Sequence, residues 1–287
     1  DWDDTLLKLF AIPRQYLPQC CPIRYHYGYL KNHSIPITAV NGDQTAALHG
    51  TAEVNLDQVW VNMGTGAFIL KSTDQQLIRH TKLLSGIADS SEQEKSYVLE
   101  GTVNNAGSAI DWLSEQESIV QPYQELDSAL RMVTNPPLFM NTISGLGSPF
   151  WSNGPTPSFL NIDGHVLAAL PTDQMLAAVA ESILFLIQAN LDCMEESHLP
   201  INSITISGGL AQSNNLCQKL ADLSGLSVQR PILVEATARG IAWLATKKPV
   251  NWNKPMEIDY FSSRKMENYR DTIKERYQKF VSILQSN

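Results

Sequence analysis

Asp43 stands between Gly42 and Gln44, after the apolar run PITAV and ahead of an alanine-rich stretch. A carboxylate presented from a strand end into a cleft can accept the proton of an attacking hydroxyl, as phosphoryl transfer requires. The neighbouring Gln44 amide can hold a second hydroxyl of the same substrate. Asp43 can equally cap the helix that TAALHG begins, the commoner case for this motif alone. Three glycine turns form a second set: Gly64-Thr65-Gly66, Gly107 within NNAGSAIDW, and Gly208-Gly209. Glycine at such points lets backbone N–H groups approach an anion, and a following helix N-terminus adds a dipole favourable to phosphate. Singly, each turn is more often structural. Neither GxxxxGK[ST] nor GxGxxG occurs, which argues against P-loop and Rossmann nucleotide sites.

The surrounding pattern supplies elements to position these residues. An opening helix DDTLLKLF runs into a proline-marked turn, and residues 36–50 read as strand, tight loop and helix. Residues 57–71 form a hairpin around Gly64-Thr65-Gly66, with further strands expected over 81–88 and 96–100. From Asn104 the spacing of Ala106, Ile110 and Leu113 is helical. Residues 135–172 read as an ordered loop region, and 174–194 as a helix apolar on nearly every face, hence buried. The strand ITISGG, helix NNLCQKLADLSG, strand LSVQRP and helix EATARGIAWLAT follow. Last comes an amphipathic tail with Tyr269, Ile273, Phe280 and Leu284 on one stripe. Hairpin strands first and αβα units afterwards predict an α/β fold, a mixed sheet flanked by helices.

Composition narrows the function. The 287 residues are 43% hydrophobic and 17% charged, which is globular, and a net charge of −8 argues against nucleic acid or an anionic membrane as partner. No uncharged apolar run reaches ~18 residues. Cys20, Cys21, Cys193 and Cys217 give neither a disulfide framework nor zinc-finger spacing, so a reducing, cytoplasmic setting is expected. Glu181, the only charge between Gln174 and Asp192, is expected to hydrogen-bond a loop amide. His49 and His165 read as structural or surface residues.

Taken together in order, these segments resemble the C-terminal portion of the FGGY carbohydrate kinases, glycerol kinases in particular. The resemblance rests on IPITAVNGDQTAALHG, VNMGTGAFIL, YVLEGTVNNAGSAIDWL, GLGSPFW, and ISGGLAQSNN followed by EATARGIAWLA. It implies a ribonuclease-H-like domain of the actin-like ATPase superfamily over residues 36–287. Residues 1–35 would be the end of the first domain and the crossover, with the first domain absent. It further implies Asp43 as catalytic base and Gln44 and Phe68 as substrate contacts. ATP contacts would come from Thr65, Gly66, Gly107, Asp111, Gly208, Gly209 and Ser213, with Mg²⁺ held by phosphates and water rather than by a protein cage. Asp111 stands where glycerol kinases tend to carry Gln, and Ser213 where many carry the adenine-pocket Asn, unless Asn214 shifts into it. The basic, glycine-rich insertion that binds a sugar bisphosphate is replaced by YLKNHS.

The implied reaction is ATP-dependent phosphorylation of a primary hydroxyl of a small polyol or sugar, glycerol-like by preference, in an enzyme that is a homo-oligomer when full length. The present chain alone is expected to be inactive. Two alternatives stay open: a ketopentose kinase of the xylulose or ribulose type, and a non-catalytic actin-like nucleotide-binding module.

Overall fold

A computed structural model describes residues 1–50, 55–232, 235–249, 257–264 and 267–286. A helix α1 (Asp4–Leu9) opens the chain, its N-terminal amides capped by Asp3. A two-stranded hairpin follows, β1 (Arg24–Tyr29) with β2 (Pro36–Ala39). Neither α1 nor the hairpin contains a fully buried residue. The short helix α2 (Asp43–Leu48) comes next, then the strands β3 (Gln58–Met63), β4 (Ala67–Asp74), β5 (Leu84–Ser90) and β6 (Lys95–Val103). Two helices succeed them, α3 (Gly107–Glu117) and α4 (Pro122–Met132). The strand pairs match expectation, whereas α4 was not anticipated. Pro122 in its first turn and Leu126, Ala129 and Leu130 on its buried face are the signals it carries.

Residues 135–172 are largely irregular, as expected, with only the two-residue strands β7 (Leu138–Phe139) and β8 (Phe159–Leu160) pairing. The loop is nonetheless tied down. The Ser148 hydroxyl donates to Asn190 Oδ1 (2.7 Å) and accepts the Thr102 amide (2.6 Å), and Asn190 Nδ2 returns to the Ser148 carbonyl (2.9 Å). The remaining elements are α5 (Thr172–Glu195), β9 (Ser203–Ser207), α6 (Asn214–Ser224), β10 (Ser227–Pro231), α7 (Ala236–Ala245), β11 (Ile258–Phe261) and α8 (Glu267–Gln285).

Seven strands form one mixed sheet in the order β11-β10-β9-β3-β4-β6-β5. β3 pairs in parallel with β9, and β9 with β10; the other neighbours are antiparallel. Strand alternation divides the side chains between two faces. Val59, Val61, Met63, Ala67, Ile69, Leu99 and Val103 join α3, α4, α5, α6 and α8 in the main core. Trp60, Leu70 and Val98 point the other way and meet Ala47 and Leu48 of α2. On that side α2 and α7 touch backbone to backbone: a Cβ on Gly240 would fall 1.8 Å from the Ala46 carbonyl oxygen, and one on Gly50 would fall 2.4 Å from that of Ala236.

Helix α5 is long and apolar enough to cross a membrane by length and composition, yet 89% of its most apolar stretch is buried inside the fold. Glu181, the only charge between Gln174 and Asp192, corrects an expectation. Among the described residues, Glu181 bonds no loop amide. It accepts from Lys219 Nζ of α6 (3.0 Å) and from the Arg276 guanidinium of α8 (Nε at 3.1 Å), all three side chains being buried. Two cations around one carboxylate thus clamp three helices. Ile273, Phe280 and Leu284 are buried as the tail pattern required, while the Tyr269 side chain lies outside those described.

Candidate active site

The candidate residues gather at one end of the sheet, where β3 and β9 finish side by side and Asn62 pairs with Ser207. Helix α2 is fixed there by its sequence neighbours. Asn41 Oδ1 accepts the Gly42 amide (2.9 Å) and the Thr45 hydroxyl (2.8 Å), closing the turn before the helix. Gly42 is the capping residue and Asp43 the first helical one. The Asp43 carboxylate is exposed and accepts only the adjacent Gln44 amide (2.8 Å), so the helix-cap reading of this acid does not hold. Gln44 is tied to the sheet, its Oε1 accepting from Asn62 Nδ2 (2.9 Å). Asn62 in turn faces the Ser207 hydroxyl (3.4 Å). The sequence reading passed over Asn62, whose partners lie 18 and 145 positions away.

Phe68 pairs in register with Asn62 and with Thr102, and is half buried. Alternation therefore sends it to the face carrying Asn62 and α2, away from the main core.

A cavity of about 330 Å³ opens beside this end of the sheet, lined by Thr65, Gly107, Asp111, Tyr123, Gly209 and their neighbours Met63, Gly64 and Leu210. A second, of about 300 Å³, adjoins it through Tyr123, Gly209 and Leu210, and extends past Asp127 to Ser213 and Asn214. The two hollows together bring Thr65, Gly107, Asp111, Gly209 and Ser213 to one trough. Gly66 and Gly208 are not among the residues lining it.

The glycines separate by what a side chain would meet. At Gly66 a Cβ would lie 2.9 Å from the Val103 carbonyl oxygen, and at Gly107 2.8 Å from that of Gly64. Gly208 has φ +94° and would drive a Cβ to 2.3 Å from the Met63 carbonyl oxygen. The packing of the chain on itself explains these three. Nothing lies within 4 Å of a Cβ on Gly209, and only the Gly66 carbonyl oxygen, at 3.9 Å, approaches one on Gly64. Both open glycines line the first cavity. The start of α3 differs from the expected anion cradle: the amides of Ala106, Gly107 and Ser108 already donate to the carbonyls of Gly64 and Thr65 (2.9–3.1 Å).

Two residues that the sequence reading did not select shape the trough. The Tyr123 hydroxyl donates to Asp111 Oδ1 (2.7 Å), and burial together with that carboxylate pushes its pKa upward. Asp127 accepts from the Ser213 hydroxyl (2.6 Å), from the Asn215 amide (3.1 Å) and from Asn215 Nδ2 (2.7 Å). Burial would raise its pKa, but these donors outweigh it and hold the carboxyl below its ordinary value. Ser213 also caps α6 through the Leu216 amide (3.1 Å), and Asn214 Oδ1 is taken by Arg230 (2.7 Å). A separate hollow of about 370 Å³ lies around His49 and Trp243, with no candidate residue in its wall. His49 is buried, stacked on Trp243 and bonded to the Ala88 carbonyl, a structural role as expected.

Residues 59–248 match the C-terminal domain of the FGGY family of carbohydrate kinases. The chain belongs to that family. It is 34% identical over 252 residues to a glycerol kinase of Rippkaea orientalis, covering 84% of this chain and 49% of the relative. To a glycerol kinase of Saccharolobus islandicus it is 32% identical over 264 residues, covering 90% and 52%. The chain thus spans about half the length of the curated relatives it matches. Among solved structures it resembles Plasmodium falciparum glycerol kinase with ADP (TM-score 0.81, 23% identity, 99% of this chain and 60% of that one). It also resembles a ligand-bound xylulose kinase from Lactobacillus acidophilus (TM-score 0.76, 18% identity, 100% and 60%). At those identities the structural likeness speaks for the fold, the actin-like ATPase fold expected from the sequence.

Proposed function

We propose that this chain is the nucleotide-binding, catalytic-base half of an ATP-dependent kinase that phosphorylates a primary hydroxyl of a small polyol or sugar. The observation that carries the reading is the pair Gly64 and Gly209. Both border one cavity, and among the described residues neither meets a steric neighbour or a positive φ that would require glycine. A ligand lying against the backbone at both points accounts for them.

Among the described residues, no lysine or arginine lines the trough. The charge of a triphosphate would have to be met there by backbone N–H groups, the Thr65 hydroxyl and Mg²⁺, whose liking for phosphate and water oxygens fits a wall without a cation. Asp43, exposed at the same end of the sheet, accepts the proton of the attacking hydroxyl late, because the transition state is loose and catalysis rests on positioning. Gln44, with its carbonyl oxygen engaged by Asn62, keeps its amino group free in direction to donate to a second substrate hydroxyl. Phe68, on the same face, would pack against the carbon skeleton of a short polyol. The sequence relatives named glycerol kinase favour a glycerol-like substrate over a ketopentose.

The test joins this chain to the N-terminal half of the Rippkaea orientalis relative and follows ATP-dependent phosphorylation of glycerol and xylulose. Asp43→Asn should lower kcat by about 10²–10⁴ while leaving nucleotide affinity and Tm unchanged. Unchanged kcat would remove Asp43 as the base, and absence of phosphorylation of either substrate by the parent hybrid would return the chain to the class of non-catalytic nucleotide-binding modules. A wide preference for xylulose would remove the glycerol assignment alone.

A further inference from the structure

His80, Cys193 and Glu196 meet far from the trough. Glu196 follows α5, which leads through a short turn into the start of β9, whereas Gly208 follows the end of that strand. Cys193 Sγ lies 3.7 Å from His80 Nδ1 and 3.8 Å from Nε2, and the donor atoms of all three residues fall within 4.8 Å of one another. A tetrahedral Zn²⁺ with ordinary bond lengths would set sulfur and nitrogen roughly 3.5 Å apart. The sulfur stands at about that separation from the imidazole but nearly equidistant from its two nitrogens, so the ring turns to aim one lone pair at a shared ion.

We infer that His80, Cys193 and Glu196 form a binding site for a thiophilic divalent cation of the Zn²⁺ class, with water in the fourth position. Two further observations support it. The segment carrying His80 is held from both sides: the Ser85 hydroxyl donates to the Ile78 carbonyl (2.5 Å) and Trp151 Nε1 to that of Lys82 (2.7 Å). His80 Nδ1 accepts the Lys82 amide (3.1 Å), a bond that an ion must displace to take that lone pair. The C-terminus of α5 has no basic residue in its last turn, and a cation there meets the negative end of the helix dipole.

Burial, with Glu196 second, pushes the Cys193 thiol up to about 11. The ion-free protein thus holds a neutral thiol, and binding forms the metal–sulfur bond as the S–H proton leaves to solvent. The resulting thiolate and the Glu196 carboxylate neutralise the two charges of the ion. Lys82, now 3.9 Å from Glu196 and about half exposed, can swing into water. Such an ion would pin the connection between β4 and β5 to the end of the central helix. Sequence spacing gave no hint of it, since 113 positions separate His80 from Cys193.

The vicinal pair Cys20 and Cys21 could also take such an ion, so the experiment uses the full chain with both replaced by serine. Chelator-treated protein is titrated with Co²⁺ as an optical probe. The expected result is a thiolate-to-cobalt charge-transfer band that saturates at a single ion, is erased by Zn²⁺ and strengthens as pH rises. Cys193→Ser should abolish the band. Because that side chain is buried, His80→Asn and Glu196→Gln provide variants at more exposed positions, each expected to weaken Co²⁺ binding by about 10–100-fold or more with unchanged circular dichroism. Absence of the band in the parent chain, its persistence in Cys193→Ser, or unaltered Co²⁺ affinity in both exposed variants would overturn the inference.

Discussion

The two faces of the sheet are built on different terms. On the face of α5, the sheet and helices α3, α4, α5, α6 and α8 bury a continuous apolar core, and Glu181 within it is matched by two cations. On the face of α2 and α7, the apolar cluster is small, helix meets helix through glycine backbone, and polar links such as Asn62 to Gln44 set the geometry. The same strands serve both, because their period of two sends alternate residues to opposite sides. The well-buried face gives rigidity; the thin face leaves a short helix whose first residue, Asp43, remains exposed. The role proposed for Asp43 needs both a fixed scaffold and access to substrate, and this division offers each from a different side.

The comparison breaks most visibly at Glu181. Glu181→Gln leaves Lys219 and Arg276 without their shared anion in a buried setting, and should lower unfolding stability by about 3–5 kcal/mol in a denaturant titration. A cost below about 1 kcal/mol would mean that apolar packing alone holds α5, α6 and α8 together.

On the thin face the corresponding change is Gly240→Ala. The added methyl would meet the Ala46 carbonyl oxygen at 1.8 Å, so α2 and α7 must separate. The expected cost is about 1–3 kcal/mol, with faster amide exchange confined to these two helices. Uniformly faster exchange across the sheet would show the two faces to be one cooperative unit.

A smaller effect concerns the ion pairs at the rim of the thin face. Asp89 is buried and bonds Arg24 of β1 (2.9 Å) and Lys248 after α7 (2.5 Å). Burial would raise its pKa, but the hydrogen bonds and charges of the two cations prevail and hold it below the ordinary value. A lowered carboxylate pKa contributes stability above the unfolded-state value of about 3.9, lost as pH falls through the folded value. Asp89→Asn should therefore cost about 1–2 kcal/mol near neutral pH, and the gap to the parent protein should close below about pH 4. A gap independent of pH would assign the cost to packing.

Sequence periodicity located most strands and helices because each is a local pattern: alternating residues in β3 and β4, an all-round apolar run in α5. Placement at strand ends singled out Asp43 and the glycine turns holding Thr65 and Gly209, and family resemblance alone gave them their roles. Helix α4 was within reach, given Pro122 and the spacing of Leu126, Ala129 and Leu130. Asn62, Tyr123 and Asp127 were not, since each draws its role from partners in another element, as Asp127 does from Ser213 and Asn215 some 86 and 88 positions on. Nor could spacing tell which glycines serve the fold and which face open space. Only three-dimensional neighbours make that distinction.

That distinction yields the smallest and most specific effect. Gly208 and Gly209 are adjacent, yet the first is required by its positive φ and by the Met63 carbonyl, while the second faces open space at the cavity. Gly208→Ala should behave as a fold variant, lowering Tm because the backbone must leave a conformation that suits glycine. Gly209→Ala should leave stability within about 0.5 kcal/mol of the parent, since its methyl group touches nothing in the chain. Where ATP lies against that backbone, the methyl occupies ligand space, and affinity for a fluorescent ATP analogue should fall about tenfold, or about 1.4 kcal/mol. The pair separates two explanations that one variant would confuse. Loss of affinity through general loosening would appear in Gly208→Ala in proportion to its lower Tm, whereas loss through occupied space would appear in Gly209→Ala at unchanged Tm. Equal affinities for the parent chain and Gly209→Ala would show that the nucleotide does not use this wall, and would remove the observation on which the kinase reading rests.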